Sequence, residues 1–243
     1  MRLAGRRVVT TRDEPGRLDE LLAAEGAEVV HVPLIEIVDP PDGGAECARA
    51  LADLGDAAWL IVTSKHGARR CARAAATHRT VRLGTVGSAT ASELAAAAGR
   101  PVDVVPDRQT AAHLLLAMPA AATRGERVVL AQADLADGLL AEGLVDLGYD
   151  VTAVTAYSTR FRTPTPDERM AALAADAVAF ASGSAARAWS AAFGTDLPPV
   201  SVAIGPTTAA AAAQVSLKIT HEAADHSLEG LLAGVLSALG GPA

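Results

Sequence analysis

The chain has 243 residues, of which 50% are hydrophobic, 20% are charged and only 3% are aromatic, and its formal net charge is −7. This balance is typical of a folded globular protein, because a disordered chain needs more charge and fewer apolar side chains. The acidic charge leaves no surplus of cations to neutralise phosphates, so nucleic-acid binding is not expected. The length suits one large domain or two of about 120 residues.

Short β-branched runs alternate with alanine- and leucine-rich stretches of helical length along the chain. Such alternation predicts an α/β fold with mostly parallel sheets. Because the runs are apolar almost throughout, we expect helices on both faces of each sheet, which is a doubly wound arrangement. The predicted strands are residues 8–11, 28–32, 59–63, 82–86, 127–131, 151–155, 177–181, 200–204 and 216–220.

Two proline-terminated extended segments, residues 33–41 and 156–166, interrupt this alternation and are typical of linkers. The part before the first segment and the part after the second are each too small to bury a core alone, so we expect them to form one domain together. The middle of the chain is then a second domain inserted into the first. The predicted domains are 1–37 with 160–243, and 38–159, joined by linker strands at about 33–39 and 156–163.

The two cysteines, Cys47 and Cys71, form no CxxC pair and are too few for a zinc site. We expect both to be reduced and packed in a cytoplasmic protein. The Arg6-Arg7 pair is followed by Val-Val-Thr-Thr-Arg, which is not the apolar run of a signal peptide. The longest alanine tracts are far shorter than the ~20 apolar residues that cross a bilayer, so no membrane span is predicted.

Four predicted strands end in small, often hydroxyl-bearing residues immediately before a predicted helix. Serine and threonine cap helix N–H groups, and capping alone explains any single one of these turns. As a set the four turns indicate a ligand-binding edge, because the carboxyl ends of parallel strands share one edge of a sheet. Helix N-termini at that edge present N–H donors and a positive dipole end. Helix starts from two domains around one cleft would bind a ligand with many negative charges. The four turns are residues 62–64, 86–90, 181–184 and 204–208.

Familiar catalytic motifs are missing from the sequence. It contains neither a GxxxxGK[ST] loop nor a GxGxxG turn after the first strand, and the segment around Ser182 is not GxSxG. His221 and His226 are five residues apart and do not share a helix face, so we interpret them as part of a solvated turn. Tyr157, on the second linker segment, is either a packing aromatic or a phenol that contacts a ligand. Tyr149 follows a glycine helix stop and is expected to pack.

The sequence resembles the uroporphyrinogen-III synthase family along nearly its whole length. The segment Ile-Gly-Pro-Thr-Thr-Ala at 204–209 is the most specific match, and the others gain specificity from their order and spacing. The matching segments are residues 9–12, 33–37, 59–64, 86–91, 147–151, 156–159, 180–185, 204–209 and 227–232.

The resemblance implies two flavodoxin-like α/β domains joined by a two-stranded linker. It implies a lyase of tetrapyrrole biosynthesis that closes hydroxymethylbilane to uroporphyrinogen III, losing water and inverting the last pyrrole ring through a spirocyclic intermediate. No metal and no organic cofactor are implied. By the same resemblance Tyr157 helps the hydroxyl group to leave. The implied substrate-binding residues are Ser64, Thr90, Ser182, Ser184, Thr207 and Thr208.

The partner that the resemblance implies is the linear tetrapyrrole substrate, with the preceding hydroxymethylbilane synthase as a candidate protein partner, and we expect a monomer. One alternative is a non-catalytic two-domain module that binds or senses an anionic ligand. A second alternative, a periplasmic-type binding protein for a sugar or an anion, also has two α/β domains, but the expected lack of a signal peptide argues against it.

Overall fold

The computed structural model describes residues 1–134 and 136–240. They form an α/β structure in which two sheets of five strands each are flanked by helices. The strands are β1 (Arg7–Thr10), β2 (Glu28–His31), β3 (Ile35–Val38), β4 (Trp59–Val62), β5 (Arg82–Thr85), β6 (Arg127–Ala133), β7 (Asp150–Phe161), β8 (Ala177–Phe180), β9 (Val200–Ala203) and β10 (His221–Glu222). The helices are α1 (Arg17–Ala24), α2 (Ala45–Ala52), α3 (Lys65–Thr77), α4 (Ser88–Ala98), α5 (Ala111–Ala117), α6 (Leu139–Asp146), α7 (Pro166–Leu173), α8 (Gly183–Phe193), α9 (Pro206–Gln214) and α10 (Leu228–Leu239).

The chain divides into two compact units, and the first combines Met1–Glu36 with the segment from Arg160 onward. Its sheet has the strand order β10-β9-β8-β1-β2, and the neighbouring strands are parallel. Successive residues of β1 point to opposite faces: Val8 packs with Leu22 of α1, whereas Val9 packs with Trp189 of α8. Helices therefore cover both faces, as expected for a doubly wound sheet.

The second unit is Ile37–Thr159, and the strand order of the sheet associated with it is β3-β7-β6-β4-β5. The pairs β7–β6, β6–β4 and β4–β5 are parallel. The same alternation recurs on β4, where Leu60 packs with Leu94 of α4 and Ile61 packs with Leu114 of α5. The fold class predicted from the sequence, α/β with doubly wound parallel sheets, is confirmed.

The two segments predicted as linkers are adjacent strands, since β3 and β7 are hydrogen-bonded neighbours at the edge of the second sheet. Strand β7 is continuous over 12 residues and unites the predicted strand 151–155 with the start of the second predicted linker. The main-chain N–H of Arg162, just beyond β7, donates to the carbonyl of Leu34 at 2.9 Å. A guanidinium N–H of Arg162 also donates to the carbonyl of Pro33 at 2.9 Å, so these contacts tie the two chain segments together.

The predicted strand at 216–220 is wrong. Helix α9 ends instead in a turn in which Ser216 has a φ of 61°, and the N–H of Leu217 donates back to the carbonyl of Ala212 at 2.9 Å. This left-handed turn breaks the extended backbone that a strand needs. The chain is then held beside β9 at Thr220, whose main-chain N–H and hydroxyl both donate to the Ser201 carbonyl, at 3.0 and 2.9 Å. Strand β10 begins only after this residue.

Both cysteine thiols are free and buried, as predicted. Burial raises the pKa of the Cys47 thiol and, more strongly, that of the Cys71 thiol. Among the described residues, no helix has the length and apolar character that crossing a bilayer requires.

Candidate functional site

Both sheets expose helix N-termini at the carboxyl edges of their parallel strands. In the first unit α8 follows β8 and α9 follows β9, and in the second α3 follows β4 and α4 follows β5. The four predicted turns therefore lie between a strand end and a helix start, as predicted. Backbone N–H groups in the first turn of each helix have no partner within the helix, so these edges are suited to anions.

Two of the predicted serines are helix caps. The hydroxyl oxygen of Ser64 accepts the N–H of Gly67 at 3.1 Å at the start of α3, and that of Ser182 accepts the N–H of Ala185 at 3.2 Å at the start of α8. Ser182 Oγ also lies 2.9 Å from Ser184 Oγ, and both serines are exposed. The two hydroxyl groups at the start of α8 therefore form a pair that solvent or a ligand reaches directly.

The capping interpretation is wrong for the threonine turns, because the capping position directly before each of these helices is a glycine. Gly87 precedes α4 and Gly205 precedes α9, and neither has a side chain that can cap. Thr90 and Thr208 lie within the first turns and are buried, whereas Thr207 is exposed. Of the three predicted threonines, only Thr207 presents its side chain openly to solvent.

Side chains distant in sequence cover the starts of α4 and α9, and no local sequence pattern predicted either contact. Gln109 Oε1 accepts the N–H of Ser88 at 3.1 Å, so it caps α4 from another segment. The ring of His226 lies against Gly205, where a Cβ would be 2.7 Å from His226 Cδ2. The glycine at 205 therefore permits the close approach of this imidazole to the start of α9.

A pocket of about 270 Å³ lies in the first unit at the carboxyl ends of β1 and β8. It brings Ser182 and Ser184 together with Thr11 and Arg12, which directly follow β1. Arg12 is exposed and is therefore accessible to an acidic ligand. Residues 10–12, Thr-Thr-Arg, all line this cavity, although no sequence pattern predicted a site there.

Two lining residues of this pocket, Thr10 and Asp19, belong to a polar cluster. The Thr10 hydroxyl donates to Asp19 Oδ1 at 2.6 Å, and the N–H of Gly16 donates to Asp19 Oδ2 at 2.8 Å. His31 Nδ1 is 3.2 Å from Thr10 Oγ1 and 3.5 Å from Asp19 Oδ1. Because the Thr10 proton points to Asp19, the contact with Thr10 requires His31 to donate from Nδ1. The cluster anchors the start of α1 to β1 and β2.

Tyr157 lies towards the carboxyl end of β7, opposite Ala133 of β6. Its ring is 5.4 Å from the His66 ring, centroid to centroid, with the planes inclined by 59°. The two rings line an open pocket of about 570 Å³ in the second unit, together with Arg69 and Arg70 of α3. Tyr157 is half-buried, so its phenol packs and is accessible at the same time.

Tyr149 has the packing role predicted for it. It is buried, and its hydroxyl donates to the carbonyl of Pro119 at 2.9 Å. Burial raises the pKa of the Tyr149 phenol. Tyr149 immediately precedes β7, eight residues from Tyr157 and about 25 Å along the strand direction.

Within residues 1–134 and 136–240, no group of three or more His, Cys, Asp and Glu side chains is arranged to hold a metal ion. The two pockets instead combine hydroxyls, guanidiniums and one phenol with a few carboxylates. Their hydroxyls and guanidiniums can bind anions, and the phenol can donate a proton.

The model of the family described as "Uroporphyrinogen-III synthase HemD" matches residues 16–233. A curated relative, the uroporphyrinogen-III synthase of Synechococcus elongatus, is 26% identical over 254 aligned residues, which cover 96% of this chain and 95% of the relative.

Solved structures show the same fold. The uroporphyrinogen-III synthetase of Helicobacter pylori is similar with a TM-score of 0.69 at 18% identity, covering 96% of this chain and 99% of the other. A triple mutant of uroporphyrinogen III synthase from Thermus thermophilus is similar with a TM-score of 0.57 at 20% identity, covering 97% of this chain and 99% of the other.

Proposed function

The chain belongs to the uroporphyrinogen-III synthase family, and from this premise we propose how its own residues act on the substrate. It is a lyase of tetrapyrrole biosynthesis that closes a linear tetrapyrrole to uroporphyrinogen III. The observation that carries this conclusion is the family match over residues 16–233. The same match disfavours the alternative of a non-catalytic binding or regulatory module.

The substrate, hydroxymethylbilane, has eight carboxylates, and we propose that helix starts bind several of them. Support comes from Ser182 and Ser184, whose exposed hydroxyls share a pocket with Arg12. Ser64 and Thr207 are at corresponding helix starts after β4 and β9. Thr90 and Thr208, which are buried, would act by shaping these first turns. Main-chain N–H groups and dipoles bind anions without requiring a basic protein, which suits a chain with a net charge of −7.

Tyr157 is the residue that we propose as the proton donor. The hydroxymethyl carbon is activated by its own pyrrole nitrogen, whose electron pair expels the hydroxyl group as an azafulvene cation forms. Donation of the phenol proton turns the departing hydroxide into water. The proton lost when the new pyrrole ring regains aromaticity then restores the phenol. The half-buried position of Tyr157 in an open pocket supports this role, because a donor must reach the leaving oxygen.

The remaining task of the protein is to select one geometry of ring closure. The free substrate cyclises unaided to the unrearranged isomer, whereas the type III isomer requires attack at the substituted carbon of the last pyrrole. That attack gives a spirocyclic intermediate, which fragments and recloses with the ring inverted. Positioning alone supplies large rate factors, so a site built from hydroxyls and N–H groups is sufficient.

We also propose that the two compact units are separate domains, with residues 38–159 inserted into a domain formed by 1–37 and 160–243 through the linker strands at about 33–39 and 156–163. Each unit has buried clusters on both faces of its own sheet, which supports independent cores. A cytoplasmic monomer that receives its substrate from hydroxymethylbilane synthase completes the proposal. The free, buried Cys47 and Cys71 are in keeping with a reducing compartment.

The decisive experiment supplies freshly made hydroxymethylbilane, oxidises the products and separates the isomers. We expect the type III isomer in excess over the type I isomer, and formation faster than without protein. Formation of the type I isomer alone, at the rate without protein, would refute the proposed reaction.

A further inference from the structure

One face of helix α3 carries positive charge into the pocket that contains Tyr157. His66, Arg69 and Arg70 all line this pocket. Their spacing of three and four residues places them on the same side of the helix. Arg69 and Arg70, called the α3 cation pair below, are permanently charged, whereas the other ionisable lining groups are His66, Asp39 and Tyr157. The lining therefore contains two guanidiniums and one carboxylate, in a chain whose net charge is −7.

Neighbouring groups hold both guanidiniums in place without burying them. Arg70 forms an ion pair with Asp39, directly after β3, and its guanidinium occupies the space beside Gly44 that a Cβ would fill. Arg69 Nε donates to Glu93 Oε1 of α4 at 3.1 Å. The exposed fractions of the two arginine side chains are 31% for Arg70 and 45% for Arg69. Both guanidiniums can therefore be reached by a solute in this open pocket.

We propose that the α3 cation pair binds a carboxylate of the substrate beside Tyr157, and this inference rests on the proposed function. A carboxylate held there would lie in the same pocket as the phenol and add affinity for the substrate, while the His66 ring packs against the phenol from one side. Asp39 competes with the substrate for Arg70, because both are carboxylates. The Asp39 carboxylate therefore occupies part of the guanidinium that would bind the substrate.

This competition gives variants with effects of opposite sign. Arg69→Gln and Arg70→Gln each raise KM about threefold, and the double variant raises it about tenfold, as expected for partly exposed charge pairs. Asp39→Asn lowers KM about twofold, because it frees Arg70. The value of kcat stays within twofold throughout, since binding is lost equally in the ground state and the transition state. Raising the salt concentration shrinks the KM differences.

Matched variants separate binding from folding. Arg73 is exposed on α3 one turn beyond the pocket, so Arg73→Gln removes the same charge and is expected to leave KM unchanged. Arg70→Lys keeps the charge and restores most of the affinity. If the Arg70–Asp39 pair only tied α3 to β3, Arg70→Gln and Asp39→Asn would impair the enzyme in the same direction, and that result would overturn the proposal.

The outcome is distinguishable from failure of the proposed function. If the wild type makes uroporphyrinogen III but the double variant has an unchanged KM, the cation pair is not a binding site and the reaction assignment stands. If the wild type makes no type III isomer, the reaction assignment fails. The anion site is then tested by fluorescence titration with uroporphyrin III, a stable octacarboxylate. A Kd raised about tenfold by the double variant supports the site, and an unchanged Kd overturns it.

Discussion

Replacing Tyr157 with phenylalanine removes one oxygen from the proposed proton donor and leaves the ring in place. The ring contact with His66, at 5.4 Å between centroids, does not involve the hydroxyl oxygen, so packing is retained. We therefore expect the free energy of unfolding to change by less than about 0.5 kcal/mol. The change thus isolates the chemical role of the phenol.

The expected loss of activity follows from the openness of the pocket. A positioned general acid contributes roughly 10²- to 10⁴-fold to a rate. Because the Tyr157 pocket is open, water replaces the phenol in part, and we expect kcat to fall by roughly ten- to a thousandfold. This corresponds to a barrier about 1.4 to 4 kcal/mol higher. The type III fraction of the product that still forms on the enzyme should stay high, because the positioning groups are unchanged.

The assay follows isomer formation from hydroxymethylbilane at saturating substrate, after subtraction of the spontaneous reaction. The matched control is Tyr149→Phe, which alters the other tyrosine of the chain, about 25 Å away along β7. Its hydroxyl donates to the Pro119 carbonyl at 2.9 Å, so this variant should lose about 1 kcal/mol of stability and retain its turnover. An unchanged kcat in Tyr157→Phe would show that the phenol only packs.

Three further predictions concern capping, acid stability and thiol reactivity. Ser182→Ala removes the side-chain cap of α8 and one hydroxyl of the first pocket. It should lower the free energy of unfolding by about 1 kcal/mol in a denaturation experiment and raise KM a few-fold in the isomer assay. An unchanged KM would show that Ser182 does not contact the substrate. Arg162 donates to Glu168 at 3.0 Å and lowers the pKa of that carboxyl. The ionised Glu168 therefore stabilises the folded protein fully above pH 4.5, and this contribution is lost as the pH falls through the lowered pKa. Glu168→Gln should therefore lose about 1–2 kcal/mol at pH 7 and show a weaker decline in stability on acid titration; parallel declines would contradict this. Cys47 and Cys71 should resist a thiol reagent at pH 8 in the native protein and react fully in denaturant, because burial raises the pKa of both thiols; rapid native labelling would contradict it.

Local sequence patterns predicted most of the fold. Apolar β-branched runs located eight of the ten described strands, because strands covered on both faces require apolar side chains at successive positions. A ninth strand, β3, lies within the proline-terminated segment 33–41 that was predicted as a linker strand. Strand β10 is too short and polar to give this signal. The apolar run near Leu217 resembled a strand, but its side chains pack after a left-handed turn at Ser216.

The candidate site was less predictable, because its polar contacts join residues distant in sequence. Ser64 and Ser182 cap the helices they begin, as local sequence indicates. Gln109, in contrast, caps α4 from 21 residues away, and His31 approaches Thr10 across an equal separation. Such contacts depend on which strands pair and on where the connecting loops run. Helical and strand periodicity in the sequence do not predict either.

The central claim, that helix starts at the carboxyl edges bind the polyanion, is tested most directly by an amide ¹H–¹⁵N titration with uroporphyrin III. We predict that the largest shifts occur in residues 64–67, 182–185 and 205–208, with smaller changes around α5, α6 and α10. Shifts concentrated on those last helices, with the starts of α3, α8 and α9 unaffected, would contradict the account.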